Sequence, residues 1–294
     1  RPELLDAIIE HLSFEPDAQE DQPAPVMKLA IVGKRNAGKS TLVNALAKED
    51  RMIVSEVPGT TRDSVDVRFE RDGQTFIAID TAGIIKKGKA RTSVEFYSLA
   101  RAQRSIRRCD VAMLVLDAPR EITQVDKSVA EYTREQYKPC VIVVNKWDLA
   151  LARGIQTEAF VRYIRSHLTS LSYAPIAFVS AAKRTNLGPT IRLAQDLFRQ
   201  SRTRITTADV NAAIEKATAA RKPPMRRNRE AKIYYATQVD IAPPTFTLFV
   251  NYTECFTPRY LRFLENNFRK AFPFSEIPVR FIIRPSHAEE GARR

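Results

Sequence analysis

The chain has 294 residues with ordinary apolar and charged fractions, enough for two compact domains or for one large domain with an appendage, and too well supplied with apolar residues for extensive disorder. Its longest apolar runs, 111–116 and 141–144, are strand-sized and far short of a membrane span, while Cys109, Cys140 and Cys255 and His11, His167 and His287 are too scattered for a disulfide framework or a zinc site, so a cytoplasmic protein without membrane attachment is expected. The net charge of +13 is uneven: residues 1–25 carry one basic and seven acidic side chains, residues 26–204 carry 31 against 18, and residues 205–294 carry 15 against 9, a balance that suits work against a polyanion or serves solubility.

Residues 1–13 are predicted to form a helix, with Leu4, Leu5, Ile8, Ile9 and Leu12 on one face. Residues 14–25, rich in Pro, Asp, Glu and Gln, read as an extended linker. Neither has a core of its own, and together they read as the end of a preceding domain. From Val26 onward, apolar strand runs alternate with amphipathic helices. Strands are expected at 26–32, 75–80, 111–117, 141–145 and 176–179, and helices at 39–47, 94–107, 125–136, 157–168 and 188–200. This alternation predicts an α/β domain with a mainly parallel sheet, its ligands lying at the carboxyl ends of the strands. After Arg204 the pattern changes to a helix at 207–219, strands at 231–239 and 246–251, a helix at 258–271 and a strand at 279–283. That is a small α+β unit, large enough to fold alone. The expected division is therefore 1–25, 26–204 and 205–294.

The segment GKRNAGKS, residues 33–40, fits G-x-x-x-x-G-K-[ST] between a predicted strand and a predicted helix, which is the context that gives the motif its meaning. Gly33 and Gly38 permit a close backbone approach. The amides of Lys34, Arg35, Asn36 and Ala37, with the positive end of the following helix as far as Thr41, face phosphate oxygens. Lys39 supplies a charge to the β- and γ-phosphates, and the Ser40 hydroxyl is suited to Mg²⁺. The segment DTAG, residues 80–83, ends another strand. Asp80 can hold Mg²⁺ through water, Gly83 can offer its amide to the γ-phosphate, and Thr81 and Ala82 complete the loop. Between the two lies PGTTRD, residues 58–63, from which a threonine can complete the metal shell; Thr61 is favoured over Thr60.

The choice of base rests on NKWD, residues 145–148. Asp148 can accept from guanine N1–H and the 2-amino group, which adenine cannot match. Asn145 can bond the base edge and tie the loop to the phosphate loop, and the Lys146 stem can lie along the base beside Trp147. A buried polar site of this kind rejects the wrong base by roughly 10⁴-fold. Ser180, Ala181 and Ala182, after the last strand of the domain, are placed to offer amides to the guanine oxygen.

Taken together, GKRNAGKS, PGTTRD, DTAG, NKWD and SAA resemble the five nucleotide motifs of the translation-factor-related GTPases. The segments KIYYATQVDIAPPTFTLFVN, 232–251, and YLRFLENNFRKAF, 260–272, are similar to the C-terminal domain of one family among them, the bacterial double-GTPase Der or EngA. The resemblance implies two tandem G domains followed by a KH-like domain, with this sequence lacking the first G domain. It also implies GTP and GDP as ligands and a role in maturation of the large ribosomal subunit, with that subunit or its rRNA as partner. No glycine falls between residues 205 and 290, so a G-x-x-G clamp on single-stranded RNA is impossible there. RNA contact would fall to basic surface such as Arg221, Lys222, Arg226, Arg227 and Arg229, a run that otherwise reads as a solvated loop.

Where Ras-like enzymes carry a water-orienting glutamine, this chain has Ile84, so slow intrinsic hydrolysis is expected. The resemblance further implies that Asn36 helps to coordinate K⁺ in place of an arginine finger. The basic segment 85–91 reads either as a nucleotide-sensitive switch or as exposed charge on a loop. The functional readings are a ribosome-assembly switch, an enzyme whose GTP hydrolysis drives a modification such as tRNA processing, and a protein-binding regulator whose KH-like domain docks on a G domain. The scattered Cys and His residues offer the second no catalytic constellation.

Overall fold

The computed structural model describes residues 25–48, 53–56, 66–71, 74–80, 94–226 and 228–286. The expected helix at 1–13 and most of its linker, the threonine segment with Thr60 and Thr61, residues Thr81 to Ile84, the basic segment 85–91 and Arg227 lie outside the described residues.

A seven-stranded sheet is built from β1 (Met27–Val32), β2 (Ile53–Glu56), β3 (Val67–Arg71), β4 (Gln74–Ile79), β5 (Val111–Asp117), β6 (Cys140–Asn145) and β7 (Ile176–Phe178), in the order β2-β3-β4-β1-β5-β6-β7. The pairings β4–β1, β1–β5, β5–β6 and β6–β7 are parallel; β2–β3 and β3–β4 are antiparallel. Six helices belong with it: α1 (Lys39–Ala47), α2 (Val94–Arg108), α3 (Gln124–Glu135), α4 (Trp147–Ala152), α5 (Thr157–His167) and α6 (Leu187–Ser201). The sheet is mainly parallel, as expected, and two short antiparallel strands that the sequence reading did not anticipate form one edge.

Every residue of β5 and β6 is buried because both faces of the sheet are covered, which is why these strands read as unbroken apolar runs. Side chains alternate between the faces. Met113, Val115, Val141 and Val143 join Leu42, Leu46 and Leu197 on one side, and Leu114, Leu116, Ile142 and Val144 join Ile106, Val129 and Ile164 on the other. Later strands flank β1 on both sides, so the chain reverses its direction of winding between β1 and β5. The crevice at the carboxyl ends of those two strands is where such a sheet holds a ligand.

The remaining residues form a three-stranded sheet of β8 (Ile233–Asp240), β9 (Thr245–Val250) and β10 (Arg280–Pro285), ordered β10-β9-β8, with α7 (Thr207–Ala220) and α8 (Pro258–Ala271). The β9–β10 pair is parallel and β8–β9 antiparallel; α8 supplies the crossover that the parallel pair requires. Phe246 contacts Phe268 and Phe281, with ring centroids 4.9 and 5.9 Å apart, at the centre of this unit. Its apolar residues continue through α6 into one face of the large sheet as one cluster. The three cysteines are free and buried, and burial pushes the Cys109 and Cys140 thiols up to about 12, so they serve as packing residues. Among the described residues no helix is long and apolar enough to cross a membrane.

Candidate nucleotide-binding site

Loops following β1, β5, β6 and β7 converge at one edge of the sheet. In the first, Gly33 has φ 141°, and a Cβ there would stand 2.3 Å from the Val115 carbonyl oxygen; at Gly38, with φ 91°, a Cβ would stand 2.2 Å from Asn145 Nδ2. Neither position has room for a side chain. Helix α1 starts at Gly38 without a side-chain cap or an acidic residue in its first turn, whereas Thr206 and Thr257 cap α7 and α8. The first amides of α1 are thus left for an external anion. Lys39 curls over the loop, its Nζ 2.7 Å from the carbonyl oxygens of both Gly33 and Lys34. Burial pulls this ammonium down to about 8, against a smaller upward pull from Asp126. Arg35, Asn36, Ser40 and Thr41 are exposed, and Ala37 is buried.

Asn145 joins three loops. Its Nδ2 donates to the Ala37 carbonyl at 2.9 Å, and its Oδ1 accepts from the Ala181 amide at 3.0 Å. With the side chain only 2% exposed, both bonds lie in a low-dielectric setting that strengthens them. Lys146, at φ 61°, sends its amine to the Asn36 carbonyl at 2.9 Å and to Asp117 Oδ2 at 2.8 Å. Asp148 follows in the first turn of α4. The Ser180 hydroxyl, and Lys183 with its Nζ 3.7 Å away, hold the Asp148 carboxyl below the usual carboxylate range. It is therefore a ready acceptor at neutral pH. Ser180 and Ala181 are buried and Ala182 is exposed, in a short loop closed by the Ser180–Thr185 bridge.

Asp80 directly follows β4, at φ 59°, and is buried. Its amide donates to Asp66 Oδ1 at 2.8 Å, Ser105 of α2 donates to its Oδ2 at 2.8 Å, and Arg108 holds the other Asp66 oxygen at 2.7 Å. The Asp80 carboxylate is thus oriented by one hydrogen bond from an adjoining helix.

The family described as 50S ribosome-binding GTPase matches residues 28–146, and the family described as KH-domain-like of EngA bacterial GTPase enzymes, C-terminal, matches residues 204–284. The protein named GTPase Der of Rhodopirellula baltica is 44% identical over 297 residues, covering 100% of this chain and 64% of that protein. Its namesakes from a Geobacillus species and from Heliobacterium modesticaldum are 43% and 40% identical, over 96% and 98% of this chain. Over nearly its whole length the chain is thus similar to proteins of the Der GTPase family. It spans 64% and 65% of the length of the Rhodopirellula and Heliobacterium proteins.

Two motif side chains serve the packing around the site. Trp147 does not face a base: its ring lies 4.4 Å from Phe178 and 5.4 Å from Phe160, in the interior, because α4 turns its first residue inward to anchor the loop. The Lys34 side chain donates to the Glu121 carbonyl at 2.7 Å and pairs with buried Asp126 at 3.2 Å, leaving its backbone amide, the group expected to face phosphate, to the loop. On the KH-like unit, Lys222 pairs with Glu230 at 2.8 Å and Arg229 with Glu254 at 3.8 Å, while Arg221 and Arg226 are exposed. Sequence reasoning missed Asp66, Ser105, Asp117, Asp126 and Lys183. Only Asp117 had a local signal, an acid closing an otherwise apolar strand.

Proposed function

We propose that this chain binds GTP in the crevice at the carboxyl ends of β1, β5 and β6, hydrolyses it to GDP and phosphate, and acts as a switch in assembly of the large ribosomal subunit in the cytoplasm. The observation that carries the nucleotide reading is the double hydrogen bond of Asn145, which holds the phosphate loop and the Ser180–Ala182 loop on either side of the ionised Asp148 carboxylate. A carboxylate so placed prefers a base edge with two donors, which guanine has and adenine lacks.

Ser40 is exposed in the first turn of α1, and Ser105 engages one Asp80 oxygen; this hard oxygen donor set fits Mg²⁺, and Ser40 and Asp80 would hold it with Thr61. Bound there, the metal supplies positive charge to the β- and γ-phosphate oxygens. Lys39 and the amides of residues 34–41 grip the polyphosphate, and Gly83 adds an amide. Asn36, exposed at φ 66°, is our candidate for K⁺. The net charge of +13 and the ribosome-binding description of the matching family support the ribosomal role. A second reading, a regulator whose KH-like unit docks on protein, is favoured by one observation: Glu230 and Glu254 already pair with Lys222 and Arg229.

Titration with GTP, GDP and ATP tests the nucleotide reading. Guanine nucleotides should bind at least about 10³-fold tighter than ATP, and Asp148→Ala should abolish the difference; equal binding of ATP by the wild type ends it. Turnover in KCl should exceed turnover in NaCl at equal ionic strength, and equal rates would remove the K⁺ assignment. Salt-sensitive co-sedimentation with large ribosomal subunits, dependent on the nucleotide, separates the ribosomal reading from protein docking.

A further inference from the structure

Strands β5 and β6 run parallel in a register that sets Asp117 beside Asn145, and the Ala118 amide donates to the Asn145 carbonyl at 3.0 Å. Asp117 closes a strand of seven buried residues and is itself 2% exposed. Its Oδ2 accepts from Lys146 at 2.8 Å and has Arg120 Nε at 3.5 Å. Its Oδ1 is buried with no hydrogen-bond partner among the described residues. A carboxylate withdrawn from water with one oxygen unsatisfied is a poor choice if stability is its only purpose. From this carboxylate the Lys146 amine reaches the Asn36 carbonyl, 2.9 Å away in the phosphate loop. Lys146 and Asn36 both have left-handed backbones, φ 61° and 66°, a conformation that persists only where surroundings enforce it.

We propose that Asp117 is a positioning residue of the nucleotide site: it fixes the Lys146 ammonium, Lys146 fixes the Asn36 corner of the phosphate loop, and base-side and phosphate-side loops are thereby set as one unit. The inference rests on reading the pocket as a guanine-nucleotide site. It gives the two loops a second tie, one residue removed on each from the Asn145–Ala37 bond. The tie is charge-assisted, and stronger for lying at the edge of the buried interior.

The experiment is a double-mutant cycle on the full chain, with GDP affinity measured by titration calorimetry for wild type, Asp117→Asn, Lys146→Met and the double variant. Asparagine keeps the volume of Asp117 and removes its charge. Asp117→Asn should weaken GDP binding about tenfold or more and Lys146→Met at least as much, as expected for loss of a charged hydrogen bond. The double variant should match Lys146→Met within about twofold, since Asp117 acts through that lysine. Additive losses, or GDP affinity within about twofold of wild type for Asp117→Asn, would overturn the proposal. Should Asp117→Asn fail to fold, the ligand-free wild type still decides it: the Lys146 ammonium protons should exchange slowly in ¹⁵N spectra, and rapid exchange refutes the tie. A wild type that ignores GDP yet shows the slow ammonium would sink the nucleotide reading alone.

Discussion

The Lys39 ammonium donates to two backbone carbonyls, yet burial still brings it to about 8. Its depressed value makes the empty pocket unfavourable, by about 3 kcal/mol at pH below 8 relative to an unperturbed lysine. The sign follows from proton counts: between pH 8 and 10.5 the unfolded chain binds more protons than the ligand-free folded one, so ligand-free stability rises with pH across that window. Polyphosphate reverses the pull by favouring the charged form. Nucleotide binding should therefore take up a proton above pH 8, and affinity should be roughly fourfold weaker at pH 8.5 than at pH 7. Calorimetry at pH 8.5 in two buffers of different ionisation enthalpy measures the uptake, and equal apparent enthalpies would contradict it. Gly33, Gly38, Lys39, Asn145 and Asp148 were legible in the sequence because each belongs to a contiguous motif with its own chemical reason. Asp66, Ser105 and Asp126 were not, because their partners Asp80 and Lys34 lie 14 to 92 positions away and only the folded sheet brings them together.

Helices α7 and α8 begin on threonines whose side chains accept the Asp209 and Tyr260 amides, and α8 adds proline at its first position, where the missing N–H is no loss. Thr257→Ala should lower stability by about 1 kcal/mol in urea denaturation while leaving GDP affinity unchanged, since α8 lies in the other unit; an unaltered midpoint would show that the cap is idle. The central strands were readable as buried runs, and α1, β5 and α8 fall where the pattern put them. Strands β2 and β3 were not. IVSE and VRFER are short and charged, the composition of a strand at or near a sheet edge, and nothing local distinguishes such a segment from a loop. The pairing of β3 is decided by β4, through the Phe69–Phe76 stack at 4.9 Å, and β2 then pairs with β3.

Across the whole molecule, a cavity of about 240 Å³ separates α3 and the stretch before β7 from α8 and the stretch before β10; Arg134, Tyr173, Glu265 and Arg269 are among its lining residues. Arg269 lies 4.3 Å over the Tyr173 ring and pairs with Glu265 at 3.6 Å, and burial raises the Glu265 carboxyl. The Tyr173 hydroxyl is buried with no partner among the described residues. Tyr173→Phe should leave stability unchanged or raise it by up to about 1 kcal/mol, because a desolvated group is removed and no bond is lost. A drop of about 1 kcal/mol in a denaturant melt would mean that the hydroxyl has a partner in solution. Helix α6 has its own consequence for the molecule's mechanics. It starts two residues after the Ser180–Thr185 bridge, and the carbonyl of its last residue, Ser201, accepts the Ala242 amide at 3.3 Å. A fifteen-residue helix is a strut about 22 Å long, and beyond Gly188 and Pro189 in its first turn it contains no residue that would let it bend. A tilt of about 5° at one tip sweeps the other through about 2 Å, so a shift of the Ser180–Thr185 loop that tilts α6 should displace the turn at Ala242.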